Sequence, residues 1–591
     1  MIRSVKKLTL ALLVLVLICP AAAAQDEPVT LVVTASRILQ DIKSAPVSIA
    51  LITRDEIEAM GAMELSEVLN GVEGVTAADY GPFGSQMKVK LRGSNAEQVL
   101  VLIDGKPVNS ARQGDVDLST IPLAMVDRIE IIKGPASALY GADALGGVVN
   151  IITKGGREGG QLRLAIGGHD TVSLGFAYRG RSGSLGYALG SDLTMSGGYR
   201  PNSDYEGRSF WAQLDWGLSP RDYVTVSLFR HEDEHGVPGS LEYQSPTARQ
   251  AYDETRVAVD YDRAIGTNSN LSLGLSVVNH VLDYEDDWQD DLHHGDDYLL
   301  DLQVNSQQGS HLLTFGGALG RGQVDSTQLG EQKRDHWRLF LQDSWQASPA
   351  LGLTLSSSYD NYSTHGDNLS VRAGLVYHLD GDAQLFASVG SAFRAPSLED
   401  LYWPGMGNPE LSPETGWAWE AGLRRSLTDG LALSASIFRR QMTDLIQWRE
   451  FPDDSWRPVN VSAAILQGLE AALEGKPGEN LAWSMAYTYL DGKDKDTKEE
   501  LPNQVRHRGN LSLTYQMPWG MAASLLAEFV GAQTGGTVPA YQVFDLVLTQ
   551  QVSEALQVQL KAANLLDKEY QVVAGYPAPP RTVTLGARYA F

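Results

Sequence analysis

The sequence predicts a transmembrane antiparallel β-barrel of about 22 strands occluded by an N-terminal mixed α/β domain, and three observations predict it. From about Gly160 onward apolar residues recur with period two, as in "YVTVSLF", where Val224, Val226 and Leu228 alternate with Thr225 and Ser227. One strand face therefore meets an apolar medium and the other a polar one. After residue 25 no unbroken apolar run reaches the roughly 18 residues of a spanning helix. Residues 160–591 accommodate about 22 strands of about 10 residues with connections of similar length, and so wide a barrel leaves a lumen to be filled.

The chain opens with an export signal: Arg3, Lys6 and Lys7 precede the apolar run Leu8–Ile18, and Ala22, Ala23 and Ala24 form a small-residue cleavage site. Cleavage starts the mature chain near Gln25 and removes Cys19, the sole cysteine, so disulfides cannot staple the fold. It also takes the 47 basic residues down to 44, against 72 acidic ones, a net charge of −28. Such a polyanion is unsuited to nucleic acid, whose affinity comes largely from neutralised phosphates. The next segment, "LVVTAS" (Leu31–Ser36), reads as an isolated strand with no sequence neighbour to pair with.

Residues 26 to about 155 read as a separate mixed α/β unit. Helical apolar spacing at Ile57, Met60, Leu65, Val68 and Leu69 ends at Gly71 and Gly74, and short β runs occupy Val99–Asp104, Asp127–Gly134 and Gly147–Thr153. Beyond it, strands such as "LSLGLSV" and the terminal "TVTLGARYAF" alternate with polar loops, among them the acidic stretch Asp283–Asp297. "HEDEH" (His231–His235) satisfies a zinc-protease pattern, but that chemistry needs a helix. A period-two strand enters the motif and Gly236-Val237-Pro238-Gly239 follows it, so an enzyme is not expected.

Several motifs, in order, resemble those of the TonB-dependent outer-membrane transporters of Gram-negative bacteria. "LRGSNAEQVLVLIDGKPVN" (Leu91–Asn109) and "VDRIEIIKGPASALYGADALGGVVNIITK" (Val126–Lys154) are similar to the family's plug signatures. "AFRAPSLEDLY" (Ala392–Tyr402), "GNPELSPE" (Gly407–Glu414) and "NLLDKEY" (Asn564–Tyr570) are similar to its late-barrel motifs. The resemblance divides the chain into a signal peptide (1–24), a TonB-box segment (25–36), a plug (37–155) and a barrel (156–591). It implies a monomer in the outer membrane among lipid and lipopolysaccharide. Leu31, Val32, Val33, Thr34 and Ala35 would be the strand that the periplasmic energy-coupling protein TonB pairs with. It also implies a plug-to-barrel lock of Arg92 and Lys133 against Glu420 and Glu470, with lysine where the family usually has a second arginine. Lysine lacks the guanidinium fork, so a weaker or water-bridged arm is expected there.

Within the family the chain looks most like the cobalamin group, on the short plug, "LVVTA" followed by Ser36-Arg37, the run Gly407-Asn408-Pro409 and the ending "GYPAPPRTVTLGARYAF". A ferric siderophore is the alternative cargo, haem a lesser one, and a passive porin or adhesin barrel the alternative without coupling. Residues expected to meet cargo are Tyr80, Phe83, Gln86, Asn109, Arg112 and Gln113 on two outward plug loops. No cofactor is required. Calcium is a candidate, because Asp283, Asp286, Asp287, Asp290 and Asp291 offer the hard oxygens it takes, with a solvated acidic loop as the other reading.

Overall fold

Alternation fixes two faces, and closure removes the sheet edges that lipid cannot satisfy. The computed structural model describes residues 31–32, 37, 40–153, 158–380, 383–453, 455–461 and 463–591. The predicted export signal and residues 33–36 of the coupling segment lie outside the described residues. Among the described residues, 22 antiparallel strands close into one barrel. They are β1 (Gly159–Gly167), β2 (Thr171–Ser182), β3 (Leu185–Ser196), β4 (Tyr205–Gly217), β5 (Asp222–Gly236), β6 (Arg249–Ala264), β7 (Ser269–Glu285), β8 (Asp290–Gln308), β9 (His311–Ser326), β10 (Gly330–Ser348) and β11 (Leu351–Tyr362). The ring continues with β12 (Gly366–Asp380), β13 (Ala383–Arg394), β14 (Glu414–Thr428), β15 (Leu431–Thr443), β16 (Ala464–Gly475), β17 (Leu481–Asp494), β18 (His507–Gln516), β19 (Met521–Val530), β20 (Tyr541–Gln551), β21 (Leu556–Ala563) and β22 (Thr582–Ala590).

β22 pairs with β1, from Gln161 opposite Ala590 to Gly167 opposite Thr584. Outward positions carry exposed leucines such as Leu339, Leu341 and Leu369, while inward ones such as Gln303, Asn305 and Asp360 are buried against the lumen contents. Connections at one end span two to five residues and at the other three to 20, which makes the long end extracellular. The acidic stretch expected as a loop is mostly strand: β7 runs to Glu285, β8 starts at Asp290, and only four residues turn between them. Polar alternation continues the ladder past the lipid, so composition there does not mark a loop.

Glycines in the wall make room for lumenal rings on neighbouring strands. A Cβ on Gly422 would stand 2.3 Å from Cζ of Phe386, and one on Gly468 would stand 2.8 Å from Cζ of Phe438.

Inside the barrel lies a five-stranded sheet in the order Ile49–Thr53, Arg128–Lys133, Gly147–Ile152, Val99–Ile103, Lys106–Pro107. Its core gathers Ile52, Val99, Val101, Ile129, Ile131, Val149 and Ile151 with Ile57, Leu65 and Val68 from two short helices. The single helical spacing is split into α1 (Arg54–Ala59) and α2 (Leu65–Leu69), because Gly61 turns the chain at φ +57°. Thr53 and Glu56 form a capping box at the start of α1. A third helix, α3 (Ser137–Tyr140), packs near β10–β13, and a hairpin of Val75–Asp79 with Met87–Leu91 stands outward from the sheet. The segment expected to be an isolated strand is not alone: Leu31 pairs with Asp41 and Val32 with Gln40. The chain folds back on itself within ten residues, which is why no distant partner was visible.

Replacing Gly422 by valine forces Phe386 and the wall apart. We expect destabilisation of about 1–3 kcal/mol, seen as lost heat-modifiable gel mobility at lower urea than for the unaltered protein.

Candidate functional site

Arg92 follows the hairpin strand Met87–Leu91 and adopts φ +50°, a left-handed conformation costly for a side chain of its bulk. Its guanidinium explains why that conformation persists. Nε and Nη2 donate to the two carboxylate oxygens of Glu470 on β16 at 3.0 and 2.8 Å, and Nη1 donates to Glu420 on β14 at 2.9 Å and to the Lys133 carbonyl at 2.8 Å. The Phe438 ring lies 4.3 Å beneath it. Every polar edge of a buried cation is thus satisfied, as burial requires.

Lys133 is completely buried and reaches Glu470 directly at 3.3 Å, without a bridging water's span. Its ammonium also donates to the carboxylate of Glu73 and, at 3.1 Å, to the Glu73 carbonyl. The structure therefore brings Arg92, Lys133, Glu420 and Glu470 together and adds Glu73, which the sequence reading missed. The available signal was a carboxylate in a glycine-bounded turn, Gly71 to Gly74. A second charge cluster lies just beyond the predicted coupling segment: Arg37 pairs with Asp301 of β8 at 2.6 Å and lies 4.8 Å over Phe340, while Lys106 pairs with Asp260 and Asp301 at 2.8 and 3.2 Å.

The outward loops of the plug are covered in part by barrel loops. Tyr80 meets Tyr576 edge-on at 4.9 Å, and Phe83 lies 6.1 Å from Tyr205. Gln86 accepts the Tyr80 N–H through its carbonyl, closing the loop between them. The loop helix α4 (Leu398–Tyr402) sits on the second plug loop, where Leu398 N–H donates to Ala111 and Glu399 N–H to Arg112. Two of the expected cargo contacts are engaged within the plug loop and by α4. Asn109 is turned inward, bonded to the main chain of Val99, Val101 and Gly114, and Arg112 is buried in an ion pair with Glu399. Both side chains close the plug loop, Arg112 buried and Asn109 partly exposed. Tyr80, Phe83, Gln86 and Gln113 keep partial exposure.

The five aspartates expected to hold calcium are dispersed along the β7–β8 hairpin. Asp286 accepts from the N–H groups of Trp288 and Gln289 and from Tyr284, Asp287 from Thr247, and Asp291 from Gln328. Asp283 and Asp290 stand on facing strands of the hairpin. Among the described residues no group of three or more His, Cys, Asp or Glu side chains converges as a metal site. "HEDEH" lies within β5, where His231, Asp233 and His235 share the buried face and both imidazoles bond Asp233, at 2.9 and 2.8 Å.

Beneath the apex, burial pushes Asp117 up to about 6, against the N–H groups of Met87 and Ser119 that favour its charged form. Burial raises Asp79 to about 6 as well, and lifts Glu64 well above the usual carboxylate range.

Two family models match the chain: "TonB dependent receptor-like, beta-barrel" over residues 157–565 and "TonB-dependent Receptor Plug Domain" over residues 41–148. The chain belongs to the TonB-dependent receptor family. It is similar to the vitamin B12 transporter BtuB of Photobacterium profundum, at 27% identity over 99% of this chain and 100% of that one. The BtuB of Vibrio vulnificus is also 27% identical, over 92% and 91% of the two chains. Among solved structures, the siderophore receptor PiuA from Acinetobacter baumannii superposes with TM-score 0.81 at 17% identity, covering 93% of this chain and 98% of that one. P. aeruginosa FpvA bound to a pyoverdine gives 0.82 at 16% identity, covering 95% and 88%. At such identities these structures share the fold. This TonB-dependent receptor is accordingly an outer-membrane transporter of the Gram-negative envelope, with a plug that fills its barrel.

Two outcomes follow for the receptor's plug. Glu470→Ala leaves Arg92 and Lys133 short of a counter-charge, so hydrogen exchange over residues 91–103 should report a loss of about 3–5 kcal/mol in plug docking. Asp117 holds its proton more tightly folded than unfolded, so its contribution is present at low pH and is lost as pH rises from about 4 through about 6. Lowering pH from 7 to 5 should therefore stabilise the hairpin Val75–Leu91 by about 1 kcal/mol, read from its exchange-derived opening free energy.

Proposed function

We propose that this receptor takes up cobalamin, and that TonB drives uptake through Leu31, Val32, Val33, Thr34 and Ala35. The observation carrying the cargo reading is the end-to-end match to proteins named vitamin B12 transporters, which spans plug and barrel alike. The apex agrees with it. Tyr80, Phe83 and Tyr576 offer flat apolar contact with two phenol hydroxyls, which suits a bulky amphipathic macrocycle. Arg112, the cation that an anionic ferric siderophore would seek on the plug loop, is neutralised by Glu399.

The coupling reading rests on how little main chain holds the segment. Two residues pair with Gln40 and Asp41, so a TonB strand would displace a two-residue ladder to gain a longer one. Arg37 stands immediately beyond and transmits the pull to Asp301.

Calorimetric titration of cobalamin into the purified receptor tests the cargo: saturable binding of one molecule per receptor is expected. Absence of heat with a folded, heat-modifiable barrel would move the cargo to a ferric siderophore and leave the transporter standing. Deleting residues 31–35 should preserve that binding while abolishing uptake by cells, and unchanged uptake would refute the coupling segment.

A further inference from the structure

Opposite faces of the plug are held very differently. Toward β14–β18, barrel side chains grip plug main chain. Arg440 donates to the carbonyls of Leu91, Arg92 and Leu145 at 3.3, 3.1 and 3.1 Å, and Arg508 donates to those of Val75 and Asn70 at 2.8 and 3.2 Å. The Thr488 hydroxyl accepts the Gly74 N–H at 2.8 Å. These bonds add to the carboxylates of Glu420 and Glu470.

Across the lumen, β21, β22 and β1–β5 enclose with α1, α2 and the outward loops a cavity of about 190 Å³. On the outer half of this wall the polar groups bond to one another: Thr194 to Ser173 at 3.1 Å and to Asp192 at 3.2 Å, and Ser209 to His231 at 2.8 Å. Side-chain ties from the plug gather nearer the periplasmic end. Glu58 pairs with Arg163 at 3.4 Å and with Arg588, Gln559 donates to the Glu58 carbonyl at 3.0 Å, and Lys561 pairs with Glu67.

We propose that cargo descends along this seam, and that Glu58 and Glu67 with Arg163, Arg588 and Lys561 form its periplasmic gate. The plug's grip on β15, β17 and β18 through Arg440, Thr488 and Arg508 persists while the seam widens. The cavity is below the roughly 300 Å³ at which ligand pockets begin, so widening is required. Pulling the coupling segment reaches α1 through the edge strand Ile49–Thr53. Arg424 and Glu420, which bind the main chain at Ala45, Val47 and Ser48, lie on that route and are peeled first. Hydroxyls on one side of the seam and Ile57, Met87 and Leu118 on the other suit a neutral amphipathic cargo rich in amides. The path depends on the transporter fold and not on the cargo's identity.

The test uses the purified full-length receptor in planar bilayers, without cargo or TonB. Glu58→Gln with Glu67→Gln should raise ion conductance roughly tenfold by removing the gate's ion pairs. Should that variant fail to show heat-modifiable mobility, Gln559→Ala with Lys561→Gln opens the same gate from the barrel side. Cys19, in the predicted leader, is the sole cysteine, so introduced thiols are unique in the mature chain. In the open-gate background, a bulky thiol reagent should abolish conductance at Ser173→Cys or Ser209→Cys and leave it intact at Ala418→Cys on the lumenal face of β14. Unchanged conductance in both folded gate variants, or equal block at Ala418→Cys, would overturn the seam.

Discussion

Burying a charge in a shielded lumen is costly unless a counter-charge and hydrogen bonds come with it, and this constraint organises the molecule. Arg92 meets it with two glutamates, one carbonyl and a ring, and in doing so fixes a strained backbone turn, the orientation of the hairpin beneath the apex and the plug's position against β14 and β16. Polar contacts of this kind are strong together and separable one at a time, unlike a continuous apolar interface. A domain held so can be firm at rest and still yield to directed force.

The barrel was legible because its signal is repeated. Period two in β5, β7 and β22 needs only local sequence, and the count of strands follows from length. The plug's core was legible for the same reason. What escaped was each side chain's choice of partner. Nothing near Asn109 says that its amide will serve Val99 and Gly114, and nothing near Arg112 names Glu399, nearly 300 residues away, as its partner. The acidic hairpin escaped because strand pairing beyond the lipid no longer demands apolar residues. Arg92, Glu420 and Glu470 were reachable through resemblance of motifs; Glu73, in a turn with no motif of its own, was not.

The asymmetry of the plug's attachments has a mechanical reading. Main-chain carbonyls accept from Arg440 and Arg508 whatever the local side chains, so these bonds tolerate sequence change in the plug that the Arg92 lock beside them would not. On the other side the ties run from side chain to side chain, through Glu58 and Glu67, and each can be tuned by a single substitution. Evolution of transport rate would act there at little expense to the fold.

The pairing of β22 with β1 also constrains biogenesis. The residues completing the ring, Thr584–Ala590, follow every other barrel strand in sequence, and Phe591 seals the junction by exchanging main-chain hydrogen bonds with Gly160 at 2.7 and 2.9 Å. Until they arrive, β1 offers an unpaired edge that a neighbouring chain could capture. Loss of β22 would therefore open the ring and expose two strand edges, on β1 and β21.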